Sequence, residues 1–229
     1  MELSIRLMKI AKMVDHCSSI ADIGTDHAFI PIYLIKNGIC SNVIASDINQ
    51  GPINKAKNNI LFENLENKIS CIKSEGLKHL SPFEIDGVII AGMGGNLTRD
   101  IIEESLEVYK SLKFAILNPA QNVEIVREYI YKSGFEIIDE DLCIDENIFY
   151  EIIKVRYANH PKEIDSIYYE VSQLLLDKNH PLIGAFIERK LYKNRKILSV
   201  IKEGSLLAEK RRQEIQIKIR KLEELLECH

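Results

Sequence analysis

A rhythm in the chain constrains its fold more than any single residue does. From Ile20 to Val155 the short apolar runs "SSIADIG", "SNVIASD", "KISCIKS", "DGVIIAG" and "KFAILNP" alternate with "FIPIYLIKNG", "INQGPINKAKNNILFEN", "EGLKHL" and "NLTRDIIEESLEVYKSL", which carry helical periodicity. Strands that each return through a helix run parallel with right-handed crossovers, and their unbroken apolar character calls for a sheet covered on both faces. This predicts a doubly wound α/β domain. After the helical "NVEIVREYIYKSG" the pattern changes to "FEIIDEDLCIDENIFYEIIKVRY", two β-rich runs parted by the polar "IDEN", which is a hairpin signal. Five parallel strands and this antiparallel pair make a Rossmann-like sheet of seven strands, in an order that sequence does not reveal.

From Pro161 onward strand signals end. The segments "IDSIYYEVSQLLLD", "PLIGAFIERKLYKNRKILSVIKEG" and "SLLAEKRRQEIQIKIRKLEELLE" read as helices, broken at Asn179-His180-Pro181 and Gly204-Ser205, with Ser205 as N-cap of the last. Leu206, Ile215, Ile219, Leu222 and Leu226 fall near one stripe, which predicts a helical hairpin or an antiparallel coiled coil. The expected organisation is therefore a domain over 1–157 and a helical extension over 158–229. Charge follows the same division. Residues 1–156 hold 16 Lys and Arg against 23 Asp and Glu, whereas Lys178 to Lys221 holds 13 against 4. A basic tail on an acidic body suits a surface that follows a phosphate backbone, or else a solvated helical face.

With 46% hydrophobic and 28% charged residues, the chain has the composition of a soluble globular protein. No run approaches the roughly 18 apolar residues of a membrane span, and "MELSIRLMKIAKMVDH" is charged throughout, unlike a signal peptide. A cytoplasmic monomer without membrane association is expected. The five cysteines stand at least 23 residues apart, which suggests reduced core thiols rather than a disulfide framework, and no metal.

In open α/β sheets ligands bind beyond the carboxyl ends of the strands, where Gly24, Asp47, Glu75 and Gly92 all fall. A dinucleotide site would use several glycines to bring backbone against a pyrophosphate. Here the first turn, "DIGTDH", has one glycine and two carboxylates, so it would repel a diphosphate and suit a ligand bearing positive charge. Asp47 stands 23 residues after Gly24, where an acid accepts from ribose hydroxyls or caps the following helix. Asp22 and His27 have structural alternatives as turn and helix-start residues. In "GVIIAGMGGNLT" the glycines Gly92, Gly94 and Gly95 leave room for a flat base close to a ligand below, or form a tight connection capped by Asn96.

"ADIGTDHAFIP", "ASDINQGP", "SEGL", "AGMGG" and "YEII", in this order and spacing, resemble the bacterial tRNA adenine-N1 methyltransferase (TrmK-like) family, which modifies adenine 22 of the D-loop region. The resemblance runs over nearly the whole chain. It implies a class I S-adenosylmethionine (SAM) methyltransferase domain with a C-terminal α-helical coiled-coil extension, SAM as cofactor and tRNA as substrate. By that resemblance Asp22, Gly24, Thr25, Asp26 and His27 surround the methionine moiety, Asp47 and Ile48 hold the ribose, Glu75 and Gly76 border the adenine, and Gly92 adjoins the methyl group. Met93, Gly94 and Asn118 would face the substrate base, with Arg189, Lys193 and Arg195 on the tRNA. The family generally carries Asp at position 75, usually Gln at 118 and Asn about position 120, so Glu75, Asn118 and Ala120 are departures. Neutral adenine offers a lone pair at N1, so transfer needs alignment more than a base, and Asp26 is the candidate catalytic carboxylate beside the cationic product. Rival readings are transfer to another RNA base, a protein or a small molecule, and a non-catalytic nucleic-acid-binding protein.

Overall fold

The computed structural model describes residues 2–201 and 204–228. They divide into two compact units, Met1–Ile164 and Asp165–His229. The first unit opens with α1 (Ile5–Lys12), whose first turn is capped by the Ser4 hydroxyl accepting from the Leu7 N–H at 3.4 Å. It continues as β1 (Cys17–Ile23), α2 (Phe29–Lys36), β2 (Cys40–Asp47), α3 (Gln50–Phe62), β3 (Ile69–Lys73), β4 (Gly87–Ala91), α4 (Gly95–Glu104), α5 (Leu106–Ser111), β5 (Phe114–Asn118), α6 (Val123–Lys132), β6 (Phe135–Asp145) and β7 (Ile148–Tyr157). The seven strands lie in the order β3-β2-β1-β4-β5-β7-β6. β1 to β5 are parallel, and β7 is antiparallel to both neighbours.

Strand alternation divides the core into two layers. Ile20, Val43, Ala45, Ile89 and Ile116 pack with α1, α2 and α3 on one face. Their sequence neighbours Ala21, Val88, Ile90, Ala115 and Leu117 pack with α4, α5 and α6 on the other. The hairpin forms where "IDEN" predicts it, with Glu146 and Asn147 at φ 50° and 63°, the two left-handed residues of a tight primed turn. Two expected helices differ. "EGLKHL" is a tight turn that buries Leu77 and Leu80, since Gly76 is left-handed (φ 51°) and Pro82 follows closely. "NLTRDIIEESLEVYKSL" breaks at Ser105 (φ −123°, ψ 34°) into α4 and α5. Cys17 and Cys40, distant in sequence, are register partners whose sulfurs lie 2.8 Å apart as free thiols.

The second unit comprises α7 (Ile167–Glu170), α8 (Gln173–Asp177), α9 (Ile183–Val200) and α10 (Leu206–Glu227). The first predicted helix here is two short ones, because the buried Val171 is extended (φ −130°, ψ 118°) and the Ser172 hydroxyl starts α8 afresh by accepting from the Leu175 N–H. Ser205 caps α10 as expected, accepting from the Ala208 N–H at 3.1 Å. Ile215 and Leu222 are buried, whereas Leu206, in the first turn of α10, is 88% exposed and lies outside the buried stripe. The basic charge is partly neutralised within the unit. Lys190 and Lys218 both close on Glu170, Lys221 on Asp165, and Arg195 on Glu223. Burial would raise the Glu170 carboxyl, but its two lysines outweigh burial and hold it at about 2.

One buried charge cluster joins α6 to the hairpin. Arg127, wholly buried, donates through Nε to Glu140 at 2.8 Å and through Nη2 to Glu151 at 2.6 Å. Removing one member of such a cluster strands charge in the interior, at a cost of about 3–5 kcal/mol. Arg127→Met should lower unfolding free energy by about that amount in urea titration, whereas Arg195→Met, at an exposed pair, should change it by less than about 1 kcal/mol.

Candidate active site

Strands β1, β2, β4 and β5 end level with one another. Ile23 pairs with both Ser46 and Ile90, and Ala91 pairs with Asn118. The ladder runs into the turns: Gly24 and Thr25 donate to the Ser46 carbonyl, Ser74 to that of Asp47, and Gly92 to that of Asn118. β1 lies between β2 and β4, so successive crossovers leave it in opposite directions and a crevice opens at its carboxyl end.

The chain turns into that crevice at two glycines with identical left-handed backbone, Gly24 and Gly92, both at φ 79°. The Met93 methyl lies where a Cβ on Gly24 would fall, and at Gly92 that position is 3.6 Å from the Arg6 guanidinium. Gly92 is thus required by its left-handed backbone, since a Cβ there would make only an ordinary contact, whereas Gly24 is required by its backbone and by the Met93 methyl beside it. The loops after β4 and β5 are zipped together, with Ala120 donating to the Met93 carbonyl at 2.7 Å and Gly95 to the Gln121 carbonyl at 2.8 Å. Gly94, not Asn96, occupies the α4 cap position and supplies no side-chain bond.

The cleft is lined by Gly24, Asp47, Ile48, Glu75, Gly76 and Met93, with Ser74 and an α4 wall of Leu97, Asp100, Ile101 and Glu104. Glu75 and Glu104 share Lys78 at 2.8 and 3.2 Å, and Asp100 holds Arg99. Among the described residues, Asp47 alone of these acids has no salt bridge. Its Oδ1 accepts from the Asn49 N–H at 2.6 Å, so it stabilises the start of the next turn while also lining the cleft. Acidic walls, a single-glycine turn and apolar side chains suit a cationic nucleoside and would oppose a diphosphate.

Other candidate residues lie apart from the cleft lining. Asp22 and Thr25 are buried beneath the first turn. Asp26 is exposed and occupied by Lys55 at 3.1 Å and His27 at 3.2 Å, while His27 stacks on Phe29. Asn118 is buried between the Glu151 carbonyl, which accepts from its Nδ2 at 2.8 Å, and Arg6, which donates to its Oδ1 at 3.1 Å. Arg189, Lys193 and Arg195 are exposed on α9 of the second unit. Sequence reasoning missed the α4 wall, although Leu97 and Ile101, like Asp100 and Glu104, are four residues apart and share a helix side. It also missed Arg6, for which no local pattern exists. Among the described residues, no group of three or more His, Cys, Asp or Glu could hold a metal ion, and no helix is long and apolar enough to cross a membrane.

Burial raises the Asp22 carboxyl from 3.8 to about 6, with the Asp47 charge adding to the rise and the Thr25 hydroxyl opposing it. Because the folded value is above the unfolded one, ionising Asp22 destabilises the fold. That penalty is absent below about pH 3.8, grows through pH 6 and is full above it. Asp22→Asn should therefore raise the thermal midpoint at pH 7.5, a gain of up to about 3 kcal/mol that disappears as melts are repeated towards pH 4.

The sequence model of a family described as "Methyltransferase domain" matches residues 3–153. The tRNA (adenine(22)-N(1))-methyltransferase of Bacillus subtilis (strain 168) is 32% identical over 167 residues, which cover 73% of this chain and 70% of that protein. The crystal structure of the B. subtilis M1A22 tRNA methyltransferase TrmK superposes with a TM-score of 0.89 at 26% identity, covering 98% of this chain and 99% of that one. M. capricolum TrmK in complex with S-adenosyl-homocysteine, its natural cofactor product, superposes with a TM-score of 0.84 at 27% identity, covering 99% and 98%.

Proposed function

The chain belongs to the methyltransferase-domain family and, within it, to the tRNA (adenine(22)-N(1))-methyltransferase family, and from that premise we propose that it methylates N1 of adenine 22 in tRNA, with SAM as donor. The observation that carries the reading is the acid-walled cleft at the β1/β4 switch point, where Asp47 lacks a cationic partner among the described residues. SAM supplies an electrophilic methyl group on a sulfonium centre. Asp47 and Ile48 hold its ribose, Glu75 and Gly76 border its adenine, and the Gly24 turn, with Asp22 and Thr25 beneath, receives the charged end. The Gly92–Gly94 turn and Asn118 leave a flat approach for the substrate base, whose N1 must be unpaired and turned out of its stack to reach the methyl.

Alignment rather than a side-chain base supplies the rate, since N1 carries its own lone pair. Asp26 remains the candidate carboxylate for the cationic product, and to serve it must exchange Lys55 for the base. Arg189, Lys193 and Arg195 make the expected tRNA contacts, with Arg195 giving up Glu223 to do so. The enzyme acts as a cytoplasmic monomer. Incubation with labelled SAM and unmodified tRNA, followed by mass spectrometry of nuclease fragments, should find 1-methyladenosine at position 22. SAM binding without transfer to any tRNA would sink this substrate assignment.

Asp47→Ala should raise the calorimetric SAM dissociation constant at least tenfold without unfolding the protein, because two charge-assisted hydrogen bonds of roughly 1.5–3 kcal/mol each are lost. SAM affinity should also fall as pH drops through about 6, where Asp22 takes up a proton and its attraction for the cationic ligand is lost. In buffers of differing ionisation enthalpy, calorimetry near pH 6 should show protons released on binding, and Asp22→Asn should abolish the release.

A further inference from the structure

We propose that Arg6 is a substrate-positioning residue that binds a backbone phosphate flanking the nucleotide presented for methylation, an inference that rests on the tRNA reading above. Arg6 lies in the first turn of α1, where its backbone N–H donates to Asp145 Oδ2 at 3.1 Å, so that this carboxylate is engaged by the main chain. Its guanidinium crosses to the mouth of the site. Nη1 donates to Asn118 Oδ1 at 3.1 Å, the group stands 5.1 Å over the Tyr150 ring, and Nη1 is 3.6 Å from the position of a Cβ on Gly92. Lys9, Lys55 and Lys154 of the same unit close on Asp141, Asp26 and Asp15, yet among the described residues the half-buried Arg6 side chain forms no salt bridge.

A partly desolvated cation that closes on no carboxylate, with Asp145 acting on it only across a distance, keeps charge to offer a ligand, and here it stands beside the reacting centre of an acidic body. The base is a poor partner for it, because methylation makes the base cationic and a neighbouring cation would oppose that charge. The anion that an RNA brings to this place is phosphate. One face of the guanidinium lies against Tyr150 and one donor holds Asn118, which leaves further donors of a rigid fork whose geometry matches phosphate oxygens. Such contacts set register rather than choose sequence.

The test pairs Arg6→Ala and Arg6→Lys with synthetic tRNAs in which the 5′ or the 3′ linkage of the target adenosine is a neutral methylphosphonate. With natural tRNA, Arg6→Ala should lose on the order of tenfold or more in kcat/KM, Arg6→Lys should recover part of it, and calorimetric SAM affinity should stay unchanged. One of the two neutral linkages should cost the wild-type enzyme a similar factor and cost Arg6→Ala nothing further. Losses that multiply at both linkages would show that Arg6 acts only through Asn118 and overturn the proposal, as would full activity of a folded Arg6→Ala. If the wild-type enzyme binds SAM but leaves natural tRNA unmethylated, the tRNA reading itself fails and takes this inference with it.

Discussion

Glu151 ties the interior to the site. Its carboxylate receives the buried Arg127, while its backbone carbonyl receives the Asn118 amide, whose oxygen in turn holds Arg6. A buried cation thus fixes the antiparallel hairpin against α6, and the hairpin fixes the last residue of β5. From there the chain of contacts continues through the backbone, since the Asn118 carbonyl receives Gly92 and the Met93 carbonyl receives Ala120. The turns that follow β4 and β5 at the crevice are therefore held by hydrogen bonds that lead back to one desolvated charge cluster. Such clusters add little net stability compared with apolar packing, but they penalise every arrangement in which a member loses its partner.

The strand edge beneath the crevice is held differently. Parallel ladders carry β1, β2 and β4 to a common edge, and glycine turns in a left-handed conformation end β1 and β4. Beneath the first turn, Asp22 sits where burial opposes its charge, a local instability that a cationic ligand would relieve. Folding cost is accepted where binding recovers it. The same acids that suit a sulfonium repel a phosphate, and Arg6, held by Asn118 and Tyr150 and in no salt bridge among the described residues, is a positive group close to them.

In the helical unit, summing charges along the sequence overstated the free basic surface. Glu170 and Asp165 lie before the basic stretch, yet they take up Lys190, Lys218 and Lys221 once the helices pack. Arg195 closes on Glu223 in the same way, so this exposed pair too is formed within the unit.

The sequence by itself determined what local physics controls. Alternating apolar runs specified the strand succession and helical periods the helices between them, apart from α1, "EGLKHL" and the breaks at Ser105 and Val171, while "IDEN" specified the hairpin, Ser205 a helix cap, and the placement of Gly24, Asp47, Glu75 and Gly92 at strand ends their convergence on one edge. Each signal lies within a few residues of the feature it sets. Where local signals conflicted, the backbone preferences won: Gly76 and Pro82 kept "EGLKHL" from helix while Leu77 and Leu80 were still buried. Tertiary structure alone decided the strand order, the facing of α4 into the cleft, and the partners of the charges. Arg6 reaches Asn118 across 112 positions of sequence, and Lys218 reaches Glu170 across 48. A side chain's period predicts which face it occupies, but its partner depends on which surfaces the folded chain brings together, and no local pattern encodes that.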